Sequence, residues 1–554
     1  MIPEKAFPFE TRNVRNAKSH DNPSRMSESN HIPSIFNDVL GPVMRGPSSS
    51  HSAAANRIGR LCRDLVEGDL RRVDIYYDPN GSLVTTHKSQ GTDMGLYGGF
   101  LGWEPDDPRL PDHAQHTESA GLEIEVHYES YGAEHPNNYR LEIEGVSGLC
   151  HKLQAISTGG GMIEVTEIDD VALRMAGDFF ETLVYLNDDA ERDSIRTELF
   201  NLITCDDSQV LEGEANLLRF SSVKEPEEHI LSIVRENPMV CALRVLKPVL
   251  PIMSRKNLSV PFQTVEAMLA YNEGKNWELW ELALEYESIR GGISREAVME
   301  KGRMVLGLME YAVKTGLAGT KYADRILPCQ SVTFVEREAE GRLIPGDVMN
   351  RVIAYVSAIL EVKSSMGVIV AAPTAGSCGA MPGSMLAVAD SMGVDEEQRI
   401  RALLVAGLIG VFIATHATFA AEVGGCMAEC GSGAGMSAAA MVGLAGGSLE
   451  QQLGAASVAL QNSFGMTCDP VANRVEAPCL GKNVLAGTNA LACANMALAD
   501  YKHLIPLDEV IYAMNEVGKA IPHELCCTAK GGLSITPTSK AIEQKLASTE
   551  KTNN

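Results

Sequence analysis

Three cysteines of this chain stand out by position. Cys426 closes the run Glu422-Val423-Gly424-Gly425-Cys426, Cys468 lies in Thr467-Cys468-Asp469-Pro470, and Cys479 follows Ala477-Pro478. Each sits within two residues of Gly or Pro, in the least charged part of the sequence. Thiolates presented on such loops are suited to an iron–sulfur cluster. The same residues read equally well as free cysteines acting as small buried hydrophobes, several of which an Ala/Gly-rich core would hold. Zinc lacks support, because no CxxC pair and no His pair at zinc spacing accompanies them. Cys430 makes a Cx3C with Cys426, but no CxxC follows it.

Polar loops are the other chemical candidates. Gly46-Pro47-Ser48-Ser49-Ser50-His51 leads directly into a helical pattern from Arg57 to Val66. Serines at a helix start cap free N–H groups, and such a terminus also attracts a carboxylate. Either an ordinary cap or a substrate site fits the spacing, although three serines and a His exceed what a cap needs. Thr86-His87-Lys88-Ser89-Gln90-Gly91-Thr92-Asp93 is a polar loop after a strand, a usual place for binding residues, or an exposed loop with an incidental His. Ala372-Pro373-Thr374-Ala375-Gly376-Ser377-Cys378-Gly379 ends an apolar run. It is either a turn between core elements or a set of backbone N–H groups open to an anion.

The elements that must position these groups are legible in outline. The 554 residues carry a formal charge of −25 and 13 cysteines. Such acidity argues against nucleic acid as the main partner and against a polybasic membrane binder. An odd cysteine count in a long chain argues against a disulfide scaffold, and a cytoplasmic location is expected. Between 401 and 500 only 9 residues are charged while 14 are Gly, which marks helices packed around a buried site. The most apolar run, Ala402 to Thr415, is shorter than the roughly 20 residues a membrane span needs. Residues 1–33 read as a disordered leader without a signal peptide, with Met26 as a candidate start. An α+β block follows over 34–164. Over 165–255 the segments ETLVYLN, ERDSIRTELFNLI, SQVLEGE, NLLRFSS, EEHILSIVREN and VCALRVL run strand, helix, strand, strand, helix, strand, a ferredoxin-like pattern. Helical periodicity dominates 256–540, and 541–554 reads as a flexible tail.

Taken together these motifs resemble the iron–sulfur-dependent L-serine dehydratases, single-chain form. The β-domain part is carried by GPSSSHS, by GSL with a downstream GTD, and by Ser157-Thr158-Gly159-Gly160-Gly161. The α-domain part is carried by FQTVEAMLAYNE, APTAGSCG, AEVGGC, GMTCDPV with its following PC, and KGGL. The resemblance implies a β-like domain, a mainly α-helical catalytic domain and an ACT-like module between them at 165–255, with a possible small-molecule effector. It implies a [4Fe–4S] cluster on Cys426, Cys468 and Cys479, and β-elimination from L-serine to pyruvate and ammonia. His51 or His87 would be the base. Ser48, Ser49, Ser50, Thr92, Asp93, Thr374, Ala375 and Gly376 would bind substrate. A cytoplasmic homodimer acting in amino-acid degradation and gluconeogenesis is expected, with no nucleic-acid or membrane partner.

The chain departs from the family pattern at four places near the substrate: Gln90 stands where a His is usual, Ala375 where an Asn is, Gln461 where a second His is, and Gly481-Lys482 where a Glu-Arg pair is. Cys378, Cys430, Cys526 and Cys527 have no assigned role. The alternatives are L-cysteine desulfidation or dehydration of another hydroxy acid on the same cluster, and a non-catalytic amino-acid or iron sensor. A pyridoxal-phosphate lyase, with the loop Gly431 to Gly435 and Lys482 or Lys530, is a further rival.

Overall fold

The alternating patterns of the first half build two sheets. The computed structural model describes residues 31–187, 191–213, 215–322 and 324–553, so the expected leader falls almost wholly outside the described residues. The first sheet has six strands, β1 (Leu70–Tyr77), β2 (Glu123–Tyr128), β3 (Asn138–Gly145), β4 (Cys150–Gly159), β5 (Met162–Ile168) and β6 (Val171–Met175), in the order β2-β1-β3-β4-β5-β6. Only β1 and β2 run parallel; the other neighbours are antiparallel. Burial alternates along β3 and β4 as a one-sided sheet requires. Its covered face receives α1 (Ala54–Leu65), which also packs on α2 (Thr92–Phe100). Gly59 and Gly99 let these two helices meet backbone to backbone, since a Cβ on Gly59 would lie 2.6 Å from the Leu96 carbonyl oxygen. The sheet runs on to Met175, beyond the boundary expected at 164, because β5 and β6 complete its apolar face.

The second sheet follows directly. Its elements are β7 (Phe180–Leu186), α3 (Arg192–Ile203), β8 (Asp207–Leu211), β9 (Leu217–Ser222), α4 (Glu228–Glu236) and β10 (Val240–Leu246). The strand order is β10-β7-β9-β8, every pair antiparallel. Both helices bury Leu, Ile and Val against one face.

The second half is helical. Its main members are α5 (Leu279–Gly291), α6 (Arg295–Leu317), α7 (Asp347–Ser364), α8 (Ala380–Met392), α9 (Glu396–His416), α10 (Ala421–Cys426), α11 (Ser432–Leu444), α12 (Leu449–Gln461), α13 (Cys479–Leu498) and α14 (Leu507–Lys519). Helix α11 is central: α8, α9, α12 and α13 surround it, and every residue but Gly443 is buried. A helix apolar on all sides belongs in an interior. Helix α9 is longer than its apolar run suggested. At 21 residues it is long and apolar enough to cross a membrane by composition, yet 72% of that stretch is buried inside the protein.

Two further differences from the sequence reading have clear causes. Ile35, Phe36, Val39 and Leu40 belong to the core of the helical half, not to the α+β block. Gly407 and Gly410 of α9 make room for Ile35 and Val39. The segment expected as a flexible tail continues a helix, Pro537–Asn553.

Candidate active site

The serine loop was ambiguous between a helix cap and a binding site, and the geometry separates the two. Ser48 makes no capping hydrogen bond; its Oγ lies 2.9 Å from His51 Nδ1. His51 Nε2 lies 2.9 Å from Thr86 Oγ1. Thr86 Oγ1 spends its own proton on the Ser82 carbonyl at 2.7 Å, so His51 Nε2 carries the ring hydrogen and Nδ1 is left as the acceptor. Burial lowers the His51 pKa to about 3, so the ring is neutral. Glu422 Oε1 stands 3.7 Å from Nδ1, and burial raises the pKa of this carboxyl too.

The third loop meets the first. Ala375 N donates to Ser49 Oγ at 3.2 Å, and Thr374 Oγ1 donates to Glu429 Oε1 at 2.6 Å. Gly376 is required here, because a Cβ would lie 2.6 Å from Glu429 Oε1. Burial pushes the Glu429 pKa up to about 7. Asn483 ties the loop to the thiols, donating to the carbonyls of Gly376 at 2.8 Å and Cys479 at 2.9 Å and approaching Cys430 Sγ at 3.5 Å. Ser50 is buried beside His51.

Cys426 and Cys468 come together, and Glu429 rather than Cys479 joins them: the three ligand atoms lie within 4.8 Å of one another. Gly425, at φ +65°, turns the chain so that Cys426 can face inward. Cys479 opens α13 beside this group, and the charge of Cys426 helps raise its pKa. The fit to a cluster is chemical. These are buried thiols, soft donors whose charge, once they give up their protons to a metal, would be balanced here by cations. Lys482 supplies one cation, its Nζ 4.0 Å from Cys426 Sγ, 2.7 Å from Asp469 Oδ1 and 2.5 Å from the Thr467 carbonyl. Burial raises the Cys378 and Cys479 pKa values, and the charge of Lys363, fully buried and bound to the Val475 carbonyl, opposes that rise. The KGGL segment completes the frame, since Leu533 N donates to Asp469 Oδ2 at 2.9 Å. All thirteen cysteines are free thiols.

Cys527 was unassigned and belongs here. Its backbone N–H donates to the Cys468 carbonyl at 2.9 Å, and its side chain packs with Cys426 and Cys468. Gln90 Nε2 donates to Asn473 Oδ1 at 3.1 Å and points at Cys527 Sγ at 3.4 Å, so the position where a His was expected does face the thiol pocket. The other group from that loop sits apart. His87 is committed on both nitrogens, to Asp93 at 2.8 Å and to Tyr128 Oη at 2.9 Å. Gln461 bonds Ser457 on its own helix at 3.1 Å.

Near His51 and Glu422 the buried Ser157 Oγ has no hydrogen-bond partner among the described residues, whereas Asn137 lies within hydrogen-bonding reach of the Glu422 carboxyl and Thr92 of Tyr139. Asn137 stands beside Glu422, and its carbonyl accepts from Ser157 N at 3.0 Å. Another His–carboxylate group, Asp74, Glu125 and His127, is already neutralised by Arg72.

Sequence reading missed Glu422, Glu429, Asn137, Asn483 and Cys527 as site residues. A usable signal existed for the two glutamates. In a stretch with nine charges, those retained have a reason to be there.

The comparisons with known proteins agree with this layout. The family model described as serine dehydratase alpha chain matches residues 274–534. A probable L-serine dehydratase alpha chain of Bacillus subtilis is 36% identical over 285 residues, covering 51% of this chain and 95% of that protein. The probable beta chain of the same organism is 40% identical over 155 residues, 28% of this chain and 69% of that one. L-serine dehydratase 2 of Escherichia coli is 26% identical over 517 residues, 88% of this chain and 96% of that protein.

Proposed function

The chain belongs to the L-serine dehydratase family, and from that premise we propose that its thiol pocket eliminates water from L-serine, giving pyruvate and ammonia. The observation that carries this reading is the meeting of three loops, the serine–histidine loop, the Thr374 loop and the Cys426–Cys468 pair, in one buried pocket.

We assign Cys426, Cys468 and Cys479 to hold a [4Fe–4S] cluster. When bound, a cluster on three thiolates supplies a Lewis-acidic iron that makes the substrate hydroxyl a competent leaving group. The chain's own residues do the rest. Ser157 Oγ offers a donor to the substrate carboxylate, and Glu422, beside His51, faces its ammonium. His51 Nδ1 takes the α-proton, because the Nε2–H to Thr86 bond leaves Nδ1 unprotonated, its lone pair turned to the Ser48 hydroxyl that substrate displaces; Glu422 then stabilises the imidazolium at 3.7 Å. Loss of hydroxide and the α-proton leaves an enamine that hydrolyses in water. Glu429 Oε1 accepts from Thr374 Oγ1 and keeps that loop in place. Burial of the pocket excludes water from the reacting groups.

The middle module supports a ferredoxin-like, ACT-like reading through its βαββαβ order and its β10-β7-β9-β8 sheet; in that reading it senses a small molecule. A cytoplasmic homodimer is the working assembly we infer for the enzyme. The substrate itself is tested by pyruvate formation from L-serine and L-cysteine under anaerobic conditions. A preference for L-serine of at least tenfold in kcat/KM is expected. Turnover of L-cysteine alone would transfer the site to sulfide elimination, with Gln90 and Ala375 as the altered recognition groups.

A further inference from the structure

A cleft of about 340 Å³ opens where three parts of the chain meet. The segment before α1 contributes Leu40 and Pro42, the linker leaving the middle module contributes Val249 and Leu250, and α6 contributes Lys301 and Met304. None of the thiols and none of the loops of the catalytic pocket lines it.

Arg57, on α1, forms its buried wall and is only 2% exposed. Its Nη1 donates to the Gly161 carbonyl at 2.5 Å and reaches Met162 Sδ at 3.8 Å, while its Nε is buried with no hydrogen-bond partner among the described residues. Asp38 and Glu104 act on it only through space, and burial lowers its pKa. A buried guanidinium with an idle donor and no paired carboxylate is costly, and an anion in the cleft relieves that cost. At the rim Arg60 is already paired with Glu104 at 2.7 Å. Lys301 makes no ion pair among the described residues and is available. The remaining walls are apolar, which a bare inorganic anion would leave unused.

We propose that this cleft binds a small aliphatic carboxylate, with its carboxylate on Arg57 and its branched hydrocarbon against Pro42, Leu250 and Met304. The guanidinium supplies planar, paired donors that match a carboxylate. A 2-oxo acid and an apolar amino acid share this chemistry; Asp106 on the rim would receive the ammonium of the second. The site borders the hairpin between β4 and β5, where Gly161 meets Arg57 and Gly159 abuts Ala420, the residue ahead of α10.

The test is isothermal titration of the full-length protein with 4-methyl-2-oxopentanoate, L-leucine and inorganic phosphate. One of the two carboxylates is expected to bind with a Kd below about 1 mM. Lys301→Glu, a half-buried rim position, should weaken that binding at least tenfold, and Arg57→Lys should do so where it folds. The proposal is overturned if neither carboxylate binds, if phosphate binds as tightly as the better of them, or if Lys301→Glu leaves the affinity unchanged. That last result would place the ligand in the catalytic pocket instead.

Discussion

Four of the charged side chains between 401 and 500, Glu422, Glu429, Asp469 and Lys482, surround the thiols, and their environments divide the labour. Lys482 sits between a thiol and Asp469, so it offsets the charge of cysteinates. His51, by contrast, is kept neutral: its pKa is lowered from 6.5 to about 3 by burial. Because the folded value lies far below 6.5, the ring does not change charge between pH 5 and 8. The pH profile of kcat/KM should therefore show no limb near 6.5 from this residue, and a limb there that vanishes in His51→Asn would contradict the assignment. His51→Asn should lower kcat by roughly 10²–10⁴-fold while iron content stays at the wild-type level. Cys62 and Cys493, buried away from the pocket, should tolerate Ala with iron and activity kept. The cysteines were legible as residues because each lay within two positions of Gly or Pro. Their glutamate neighbours were marked only as charges retained in a low-charge stretch, since a carboxylate's role depends on burial that no spacing displays.

Elements place those residues, and they differ in how openly the sequence declares them. The six segments read over the middle module each fall on an observed strand or helix, because short alternating runs between turn residues leave few choices. The end of the first sheet at Met175 and the burial of residues 35–40 in the helical core were not readable, since both are decided by distant partners. At α10 a single backbone angle matters. Gly425 has φ +65°, and a Cβ there would lie 2.7 Å from the Met466 carbonyl oxygen. Gly425→Ala should cost about 1–3 kcal/mol and turn Cys426 out of register. Thermal melts and iron analysis of this variant should fall together; a full iron complement would separate α10 geometry from metal binding.

Across the whole molecule, the first described segment is fastened to the helical half by its apolar side chains, by Tyr286 and Arg290, and by one buried carboxylate. Glu287 on α5 accepts from Ser34 Oγ at 2.5 Å and Ile35 N at 2.7 Å, and burial raises its pKa from 4.5 to about 7. The folded state thus binds the proton more tightly than the unfolded chain. Stability from this group is greatest below about pH 4.5 and declines as pH rises toward 7, by an amount of order 3 kcal/mol. Glu287→Gln should flatten that part of the stability profile in denaturant titrations from pH 5 to 8; an unaltered slope would remove Glu287 as its source. The chain's acidity is carried almost entirely outside 401–500, leaving the interior around the thiols nearly free of charge except where charge is used. The account as a whole rests on those thiols. Its most direct test is iron and acid-labile sulfide per chain in anaerobically prepared protein, measured beside pyruvate formation from L-serine. About four irons and four sulfides per chain, lost with activity in each of Cys426→Ser, Cys468→Ser and Cys479→Ser, is the expected result. Protein that dehydrates L-serine without iron, or three variants that keep the full iron content, would contradict it.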